Sequence, residues 1–235
     1  MTRRFGVAWP DPRPFDPRGG RPIRLLAASD ETDPTLEQAM NRDALGPVDL
    51  VVGCGDLAPD RLAFLADAFH APLVFVRGNH DRGGAWRGLT VAPEPSDGLL
   101  PEALPGLSLL GLPWPGRTDD PARRDPVRAW RQVLAGGLAA RRRGGPWLVF
   151  SHAPPSGSGD APADAYHLGF PAYRFLLQRL RPPLWLHGHT PLAGRAWRCR
   201  SGPTTLINVT GTVLIELTYE APRATPQPAP PSAAG

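Results

Sequence analysis

Short apolar runs that alternate with helix-like segments constrain the fold of this chain most strongly. Five such runs have the length and composition of buried β-strands. Because neighbouring parallel strands need a crossover connection, usually a helix, the alternation is typical of α/β domains. The five predicted strands are Ile23–Ala28, Leu50–Gly53, Leu73–Val76, Trp147–Phe150 and Leu184–Leu186.

Four helical segments separate the predicted strands, and each begins with proline. Proline is favoured in the first turn of a helix, where its missing N–H group has no partner to lose. The predicted helices are Pro34–Leu45, Pro59–Phe69, Pro126–Arg142 and Pro171–Leu180.

Two regions depart from the alternation and add further strands. Leu107–Leu112 reads as one strand, and three segments near the C-terminus read as a closing antiparallel meander. The segments of the meander are Arg195–Arg200, Thr204–Val209 and Val213–Leu217. Together these patterns predict a mixed sheet, or two packed sheets, flanked by helices.

The ends of the chain have a different composition from its middle. Residues 1–20 are rich in Arg, Pro and Gly, and residues 221–235 are rich in Pro and Ala. Such segments lack the apolar residues needed to form a core. We therefore predict one folded domain at residues 21–220 between two flexible tails.

Composition favours a soluble cytoplasmic protein. Hydrophobic residues make up 41% of the 235 residues, yet no apolar stretch approaches the roughly 20 residues of a membrane span. The N-terminus has no apolar signal-peptide core. Two cysteines, Cys54 and Cys199, cannot form a disulfide framework, which favours a reducing compartment. We expect no membrane partner.

The net charge of +4 and the pI of 9.8 leave a nucleic-acid partner open. All 26 basic residues are arginine, a bias that also follows from the codon usage of a GC-rich genome. The densest cluster, Arg141-Arg142-Arg143, ends a predicted helix, where cations complement the helix dipole. The cluster therefore has a structural explanation besides nucleic-acid binding.

Polar residues of metal-ligand type follow the predicted strands. The C-terminal ends of parallel strands share one edge of a sheet, so residues far apart in sequence can converge there. Carboxylate, amide and imidazole groups together suit Mn, Fe, Zn or Ni. The candidates are Asp30, Asp56, Asn79, His80, His152, His187 and His189.

These residues lie in motifs that resemble those of the calcineurin-like metallophosphoesterases, and the resemblance spans about residues 23–218. It implies a four-layer α/β/β/α sandwich of two mixed sheets flanked by helices, with a two-metal centre that hydrolyses phosphate esters. The matching motifs are Asp30, Gly55-Asp56, Gly78-Asn79-His80-Asp81, Ser151-His152-Ala153-Pro154-Pro155 and Gly188-His189-Thr190.

The resemblance implies a role for each matching residue. Asp56 bridges two divalent ions, and Asp30 belongs to the first of them. Asn79, His152 and His189 complete the second ion site. His80 lies beside the ions and donates a hydrogen bond to a phosphoryl oxygen or a proton to the leaving group.

The implied reaction is in-line attack of a metal-bound hydroxide on a phosphodiester or phosphomonoester. The implied cofactor is one or two divalent ions per chain, with Mn²⁺ preferred over Fe, Zn or Ni. The implied substrate is a small-molecule or nucleotide phosphoester.

The chain departs from the family pattern at two positions. Thr32 stands where the family's Asp-x-His motif has its histidine, and Pro191 stands where Gly-His-x-His has its last histidine. Both missing histidines would bind the first ion. Glu31, Asp33 or His187 are candidate replacements.

Three alternatives stay open. His187 and His189 themselves form a His-x-His pair, although the Gly-His-Thr string favours His189 as the family's first histidine. The missing ligands are compatible with a catalytically impaired binding or scaffold protein. The Gly-His-Thr-Pro ending also resembles the phosphoprotein-phosphatase-like Ser/Thr phosphatases.

Trp86 and Trp114 are predicted either to line a substrate cleft or to pack under a loop.

Overall fold

Two five-stranded sheets form the centre of the molecule. The computed structural model describes residues 2–81, 103–116 and 123–220. The strands are β1 Arg3–Ala8, β2 Ile23–Ser29, β3 Leu50–Cys54, β4 Leu73–Val76, β5 Ser108–Leu112, β6 Trp147–Ser151, β7 Leu184–His187, β8 Arg198–Ser201, β9 Thr204–Asn208 and β10 Gly211–Thr218.

Four α-helices flank the sheets in the described residues, and each of the proline-led predictions overlaps one of them. The α-helices are α1 Ala39–Leu45, α2 Pro59–Phe69, α3 Pro126–Arg143 and α4 Pro171–Leu180, with 3₁₀ turns at Asp16–Arg18, Pro34–Glu37 and Ala165–His167. The prediction of one continuous helix over residues 34–45 is wrong. Gln38 has an extended backbone (φ −85°, ψ 125°) that separates the Pro34–Glu37 turn from α1.

Both sheets are mixed. The first has the strand order β1-β10-β2-β3-β4, in which β10 is antiparallel to β2 and the other pairs are parallel. The second has the order β5-β6-β7-β9-β8, in which only β8 is antiparallel to its neighbour. The C-terminal ends of β2, β3 and β4 and those of β6 and β7 carry the candidate ligands.

The burial pattern of the strands accounts for a four-layer sandwich. In β2, Leu25 and Ala27 belong to the core between the sheets, whereas Leu26 and Ala28 pack in the layer that contains α1 and α2. The outer face of the second sheet packs against α3 and α4. Successive strand residues point to opposite faces, so a strand covered on both sides is apolar throughout. The predicted α/β/β/α fold class is confirmed.

The prediction that residues 1–20 form a flexible tail is wrong for the segment that contains β1. Phe5, Val7 and Trp9 alternate along this segment, and Val7 and Trp9 are buried in the central core. The strand pairs with β10 over six residues from Arg3 to Ala8. Its period-2 apolar pattern is a strand signal that the high Arg, Pro and Gly content obscured. Residues 221–235, the other predicted tail, lie outside the described residues.

The predicted C-terminal meander is wrong in its last strand. Strands β8 and β9 form an antiparallel pair, but β10 crosses to the other sheet and inserts between β1 and β2. The crossing is held by Asn208, whose side-chain oxygen accepts from the Thr210 N–H at 2.9 Å and whose amide donates to the Thr190 carbonyl at 2.7 Å. These bonds turn the chain away from a hairpin.

In the described part of the chain, no helix is both long and apolar enough to cross a membrane.

Candidate metal centre

Three side chains from both sheets converge at one end of the sandwich. Asp30 follows β2, Asp56 follows β3 and His152 follows β6. One ligand atom from each lies within 4.8 Å of the other two. The Asp56 carboxylate is 3.2 Å from His152 Nε2. The site therefore bridges the seam between the two sheets.

His152 is oriented by its second ring nitrogen. Its Nδ1 donates to the backbone carbonyl of Cys54 at 2.9 Å, which leaves Nε2 directed at Asp56 and at Asn79 Oδ1, 2.7 Å away. Such a bond to the far nitrogen is the usual way in which a protein orients a metal-binding imidazole. Complete burial alone lowers the pKa of His152, but the hydrogen bond and charge of Asp56 outweigh it and raise the pKa to about 9.

The Gly78–Asp81 turn adds an amide ligand and an exposed histidine. Asn79 is 1% exposed and presents its Oδ1 toward His152, whereas His80 is exposed. The His80 N–H donates to the Asp56 carboxylate at 2.8 Å. The Asp81 carboxylate accepts from the N–H groups of Asp56 (2.7 Å) and Gly78 (2.8 Å) and so joins the turns after β3 and β4. Burial raises the pKa of Asp81 to about 6.

Three candidate residues have left-handed backbones. The φ angles of Asp30, Asp56 and His189 are 58°, 54° and 65°. This region disfavours residues with a Cβ by roughly 1–2 kcal/mol each. Residues held in it against this cost cluster at functional sites. The observation thus supports a functional role for these strand ends.

Close approach requires glycine at two of these turns. A Cβ at Gly78 would lie 2.2 Å from the Asp56 carboxylate, and a Cβ at Gly188 would lie 2.3 Å from both Asp30 Oδ2 and Ser29 Oγ. The glycines of both motifs therefore have a steric reason: they let the backbone pass directly behind the two carboxylates.

His189 lies beside the three-residue cluster rather than within it. Its ring centroid is 4.9 Å from that of His152, and its backbone N–H donates to Asp30 Oδ2 at 3.0 Å. Its Nε2, however, is 3.0 Å from the carbonyl oxygen of Tyr166. Burial and the nearby His152 lower the pKa of His189 to about 3, so the ring is neutral.

The structure does not bring the three candidate replacement ligands into the cluster. His187 is buried with Nδ1 3.1 Å from the Gly188 carbonyl, and burial lowers its pKa to about 4. Asp33 caps the turn that follows it and accepts from Thr35 N at 3.1 Å, Thr35 Oγ1 at 2.6 Å and Thr2 Oγ1 at 2.9 Å. Glu31 is exposed, and its charge acts on Arg3.

Tyr166 is a site residue that sequence reasoning missed. Its hydroxyl accepts from Asn79 Nδ2 at 2.8 Å and lies 3.0 Å from His80 Nε2. Because Nδ2 donates to Tyr166, the Asn79 oxygen is left to face the metal ligands. The string Asp164…His167-Leu168-Gly169 around Tyr166 loosely resembles a further family motif, but nothing in the sequence pattern distinguishes the tyrosine.

The loop that carries Tyr166 is closed at its base and ordered by carboxylates. Pro155 and Phe170 form a parallel bridge, and Asp160 accepts from the N–H groups of Gly157 and Gly169 at 3.0 Å each. Asp164 caps the 3₁₀ turn by accepting from Tyr166 N at 2.9 Å. The tyrosine is therefore held near Asn79 and His80 by a loop that is stabilised by its own hydrogen bonds.

Trp114 packs beneath the histidines. It is 5% exposed, and its ring centroid lies 5.0 Å from that of His189 and 6.0 Å from that of His152. This position supports the packing role for Trp114 rather than exposure in a cleft. Trp86 lies outside the described residues.

The donor set fits one divalent ion. Two carboxylates, one imidazole nitrogen and one amide oxygen face one another. With its pKa raised to about 9, His152 carries a proton at neutral pH, and its Nε2 lies beside the oxygens of Asp56 and Asn79. Protein sites with this mixture of oxygen and nitrogen ligands suit borderline metals. When bound, the ion can polarise a phosphoryl oxygen and lower the pKa of water.

Comparison with known proteins decides the family. A model of the calcineurin-like phosphoesterases matches residues 29–193, which contain all the candidate ligands. The chain belongs to this family. Members of this family are in general phosphoester hydrolases that bind divalent metal ions. The cluster of Asp30, Asp56 and His152 lies within the matched residues. A search of curated proteins finds no significant match.

Solved structures support the same fold. A dimetal phosphatase from Danio rerio superposes with a TM-score of 0.52 at 14% identity, and the alignment covers 81% of this chain and 88% of that chain. A second solved structure superposes with a TM-score of 0.54 at 15% identity, and the alignment covers 81% of this chain and 91% of that chain. At these identities the likeness concerns the fold alone.

Proposed function

We propose that the chain is a metal-dependent phosphoesterase that hydrolyses a phosphodiester or phosphomonoester. The observation that carries the proposal is the convergence of Asp30, Asp56 and His152 within 4.8 Å, next to Asn79 Oδ1 and the exposed His80. An ion bound there supplies Lewis-acid polarisation of the phosphoryl group and a source of hydroxide near neutral pH.

The chain's own residues provide the remaining functions. His80 is accessible, and its backbone N–H is fixed by Asp56, so its imidazole can donate to a phosphoryl oxygen or to the leaving group. General-acid catalysis of this kind contributes roughly 10²–10⁴-fold to a rate. Tyr166 holds the Nε2 side of the ring at 3.0 Å and orients Asn79.

The donor set favours one tightly held ion, with Asp30, Asp56, Asn79 and His152 as its ligands. His189 would join them after its ring exchanges the contact with the Tyr166 carbonyl for the ion. Mn²⁺ suits this mixture of oxygen and nitrogen ligands, as do Fe, Zn and Ni. We propose a small-molecule or nucleotide phosphoester as substrate.

Activity against two model substrates tests the proposal. Purified protein stripped with EDTA should hydrolyse p-nitrophenyl phosphate or its bis(p-nitrophenyl) diester only after Mn²⁺ is restored, and the preferred substrate separates monoesterase from diesterase activity. Asp56→Asn should abolish turnover, and His80→Ala should reduce it roughly 10²–10⁴-fold. Asp60→Asn, at an exposed position in the first turn of α2, is the control. Full activity in Asp56→Asn would sink the proposal.

We also propose a cytoplasmic location. Cys54 is buried, Cys199 is half-buried, and both are free thiols. Protein thiols persist in a reducing compartment. Secretion of the protein by its native host would contradict this assignment.

A second candidate function is that of a binding or scaffold protein that has lost catalysis. It is favoured by Thr32 and by Pro191, both exposed where the family has histidine ligands. Metal content separates the two functions. One Mn²⁺ per chain after loading and desalting favours the enzyme, whereas protein that retains no Mn²⁺ favours the scaffold.

A further inference from the structure

Helix α3 has two apolar faces, and the larger side chains lie on the outer one. The inner face, packed on the second sheet, consists of the small or medium residues Ala129, Val133, Gly136 and Ala140. The outer face carries Val127, Trp130, Leu134 and Leu138, which are 60%, 38%, 60% and 52% exposed. A helix that only covers a core has its large apolar residues inside and polar residues outside. In α3 the inner face is apolar but small, and the large apolar residues are on the outer face.

The outer apolar face continues onto α4 and forms a furrow between the two helices. Phe175 of α4 is 36% exposed, and its ring lies 5.3 Å from that of Trp130. The furrow has a volume of about 610 Å³, and Leu176 and Gly137 are among the residues that line it. A Cβ at Gly137 would lie 3.3 Å from Leu176, so glycine there allows α3 and α4 to approach closely.

The charged side chains that line the furrow are all positive. Helices α3 and α4 contain seven arginines and neither Asp nor Glu, although the whole chain has 22 acidic residues. Arg141 and Arg179 line the furrow itself. A ligand that covers this surface must therefore supply apolar side chains and negative charges together.

We propose that the α3–α4 furrow is a docking site for an acidic amphipathic helix of a partner protein. The apolar face of such a helix would fill the furrow, and its flanking carboxylates would pair with Arg141 and Arg179. Helix-in-groove recognition of this kind uses apolar anchors at positions i, i+3, i+4 and i+7. None of the candidate metal ligands lines the furrow, so docking is compatible with an accessible metal centre.

Two other occupants fit the described surface less well. In a symmetric dimer the arginines of one copy would face those of the other, because neither helix offers a carboxylate. Insertion into a membrane interface uses a protruding apolar face, whereas Leu134, Leu138 and Phe175 line a concavity. An acidic helix meets both the charge and the shape.

A designed peptide probes the proposal on the full chain. The probe is a fluorescein-labelled helix with the 18-residue length of α3, leucine on one face and glutamate on its flanks; a matched peptide has lysine in place of glutamate. The glutamate peptide should bind with a Kd of about 1–50 µM, as expected for a small interface, and at least about tenfold more tightly than the lysine peptide.

Variants locate the binding and reverse its charge preference. Leu138→Asp should raise the Kd at least about tenfold, whereas Met40→Asp, an equally drastic change at an 80% exposed position on α1, should leave it within about twofold. The double variant Arg141→Glu with Arg179→Glu should prefer the lysine peptide. Circular dichroism melts check that each variant is folded.

Several outcomes would overturn the proposal. These are the absence of glutamate-peptide binding at about 200 µM, a weak affinity limit for such sites, equal binding of both peptides, and equal loss in the Met40→Asp protein. Light scattering that shows a dimer dissociated by Leu138→Asp would assign the furrow to a second copy. Co-sedimentation with phosphatidylserine vesicles that Leu138→Asp abolishes would assign it to a membrane. Loss of phosphoesterase activity leaves the peptide result unaffected, so the two proposals fail separately.

Discussion

The ligands sit at strand ends where the backbone itself is unfavourable. Asp30 and Asp56 have positive φ angles, and each follows a buried strand of the first sheet. The left-handed turn points each carboxylate across the seam toward His152 of the second sheet. The unfavourable backbone conformations of Asp30 and Asp56 thus place their carboxylates at the site, which is a recurrent feature of functional sites.

Tyr166 should matter for metal affinity although it need not touch the ion. Tyr166→Phe removes the acceptor of Asn79 Nδ2 and the partner of His80 Nε2. Loss of a partner that orients a ligand costs about 10–100-fold in metal affinity, so Mn²⁺ binding measured by calorimetry should weaken by this factor.

The matched control is Tyr219→Phe, because Tyr219 stacks on Phe15 away from the candidate ligands. We expect this variant to bind Mn²⁺ as the parent protein does. Parental Mn²⁺ affinity in the Tyr166→Phe protein would show that Asn79 is oriented without the tyrosine.

Metal uptake should strengthen as pH rises. His152 has a pKa of about 9, so below this pH an ion must displace its proton, and one displaced proton lowers the apparent affinity by about tenfold per pH unit. His187 and His189, with pKa values of about 4 and 3, are neutral throughout this range and add no further proton. Mn²⁺ titrations should therefore release about one proton per ion between pH 6.5 and about 8, and roughly half a proton near pH 9, where His152 is half protonated.

Calorimetry in buffers of different ionisation enthalpy counts the released protons. His70→Asn is a suitable control, since His70 ends α2 in a left-handed conformation that asparagine tolerates. An affinity for Mn²⁺ that is constant from pH 6.5 to 9 in the parent protein would contradict the raised pKa of His152.

At the residue scale, sequence predicts ligand type better than ligand geometry. Asp30, Asp56 and His152 could be proposed together because each follows a strand, and parallel strand ends share an edge. The Nε2 contact of His189 depends on the Tyr166 loop, whose path is fixed by long-range contacts rather than by a local pattern. Such a contact has no signature in the sequence.

Strand β1 is an element that amino-acid composition alone does not predict. Its neighbours in sequence are Arg, Pro and Gly, yet Trp9 and Phe15, each 2% exposed, are part of the central core. By contrast, helices α2 and α4 have the predicted ends, because a proline start and an apolar face are both local signals. Local signals were sufficient where no distant strand was needed.

Trp9→Ala should therefore destabilise the whole domain. Truncating a fully buried tryptophan costs about 3–5 kcal/mol, which urea denaturation measures directly. A flexible tail would lose almost nothing on the same change. Ala8→Ser, at the adjacent exposed position of β1, serves as the control and should change the free energy of unfolding by less than about 0.5 kcal/mol.

At the scale of the whole molecule, β10 connects the two sheets along the chain and joins β1 to β2 in the first sheet. It follows β9 of the second sheet by two residues, yet it lies between β1 and β2. Val213, Ile215 and Leu217 face the core between the sheets, and Leu214 faces the layer of α1 and α2. One strand thus contributes to two of the three apolar layers.

Removing residues 209–235 should abolish folding rather than trim an edge. Without β10, β1 has no neighbour and β2 loses its antiparallel partner. We expect the shortened chain to aggregate and to lack a cooperative thermal transition by differential scanning calorimetry. A chain that lacks only residues 221–235 should keep the parental transition. A cooperative transition in the shorter chain would show that the second sheet is stable alone.

The position of β10 has a consequence for synthesis on the ribosome. In the first sheet, the place between β1 and β2 is filled by the last of the ten described strands, while these two neighbours are the first two. Until β10 emerges, a nascent chain carries two open strand edges and the unfinished Asp30 end of β2. Chaperone binding to those edges should therefore persist through most of translation.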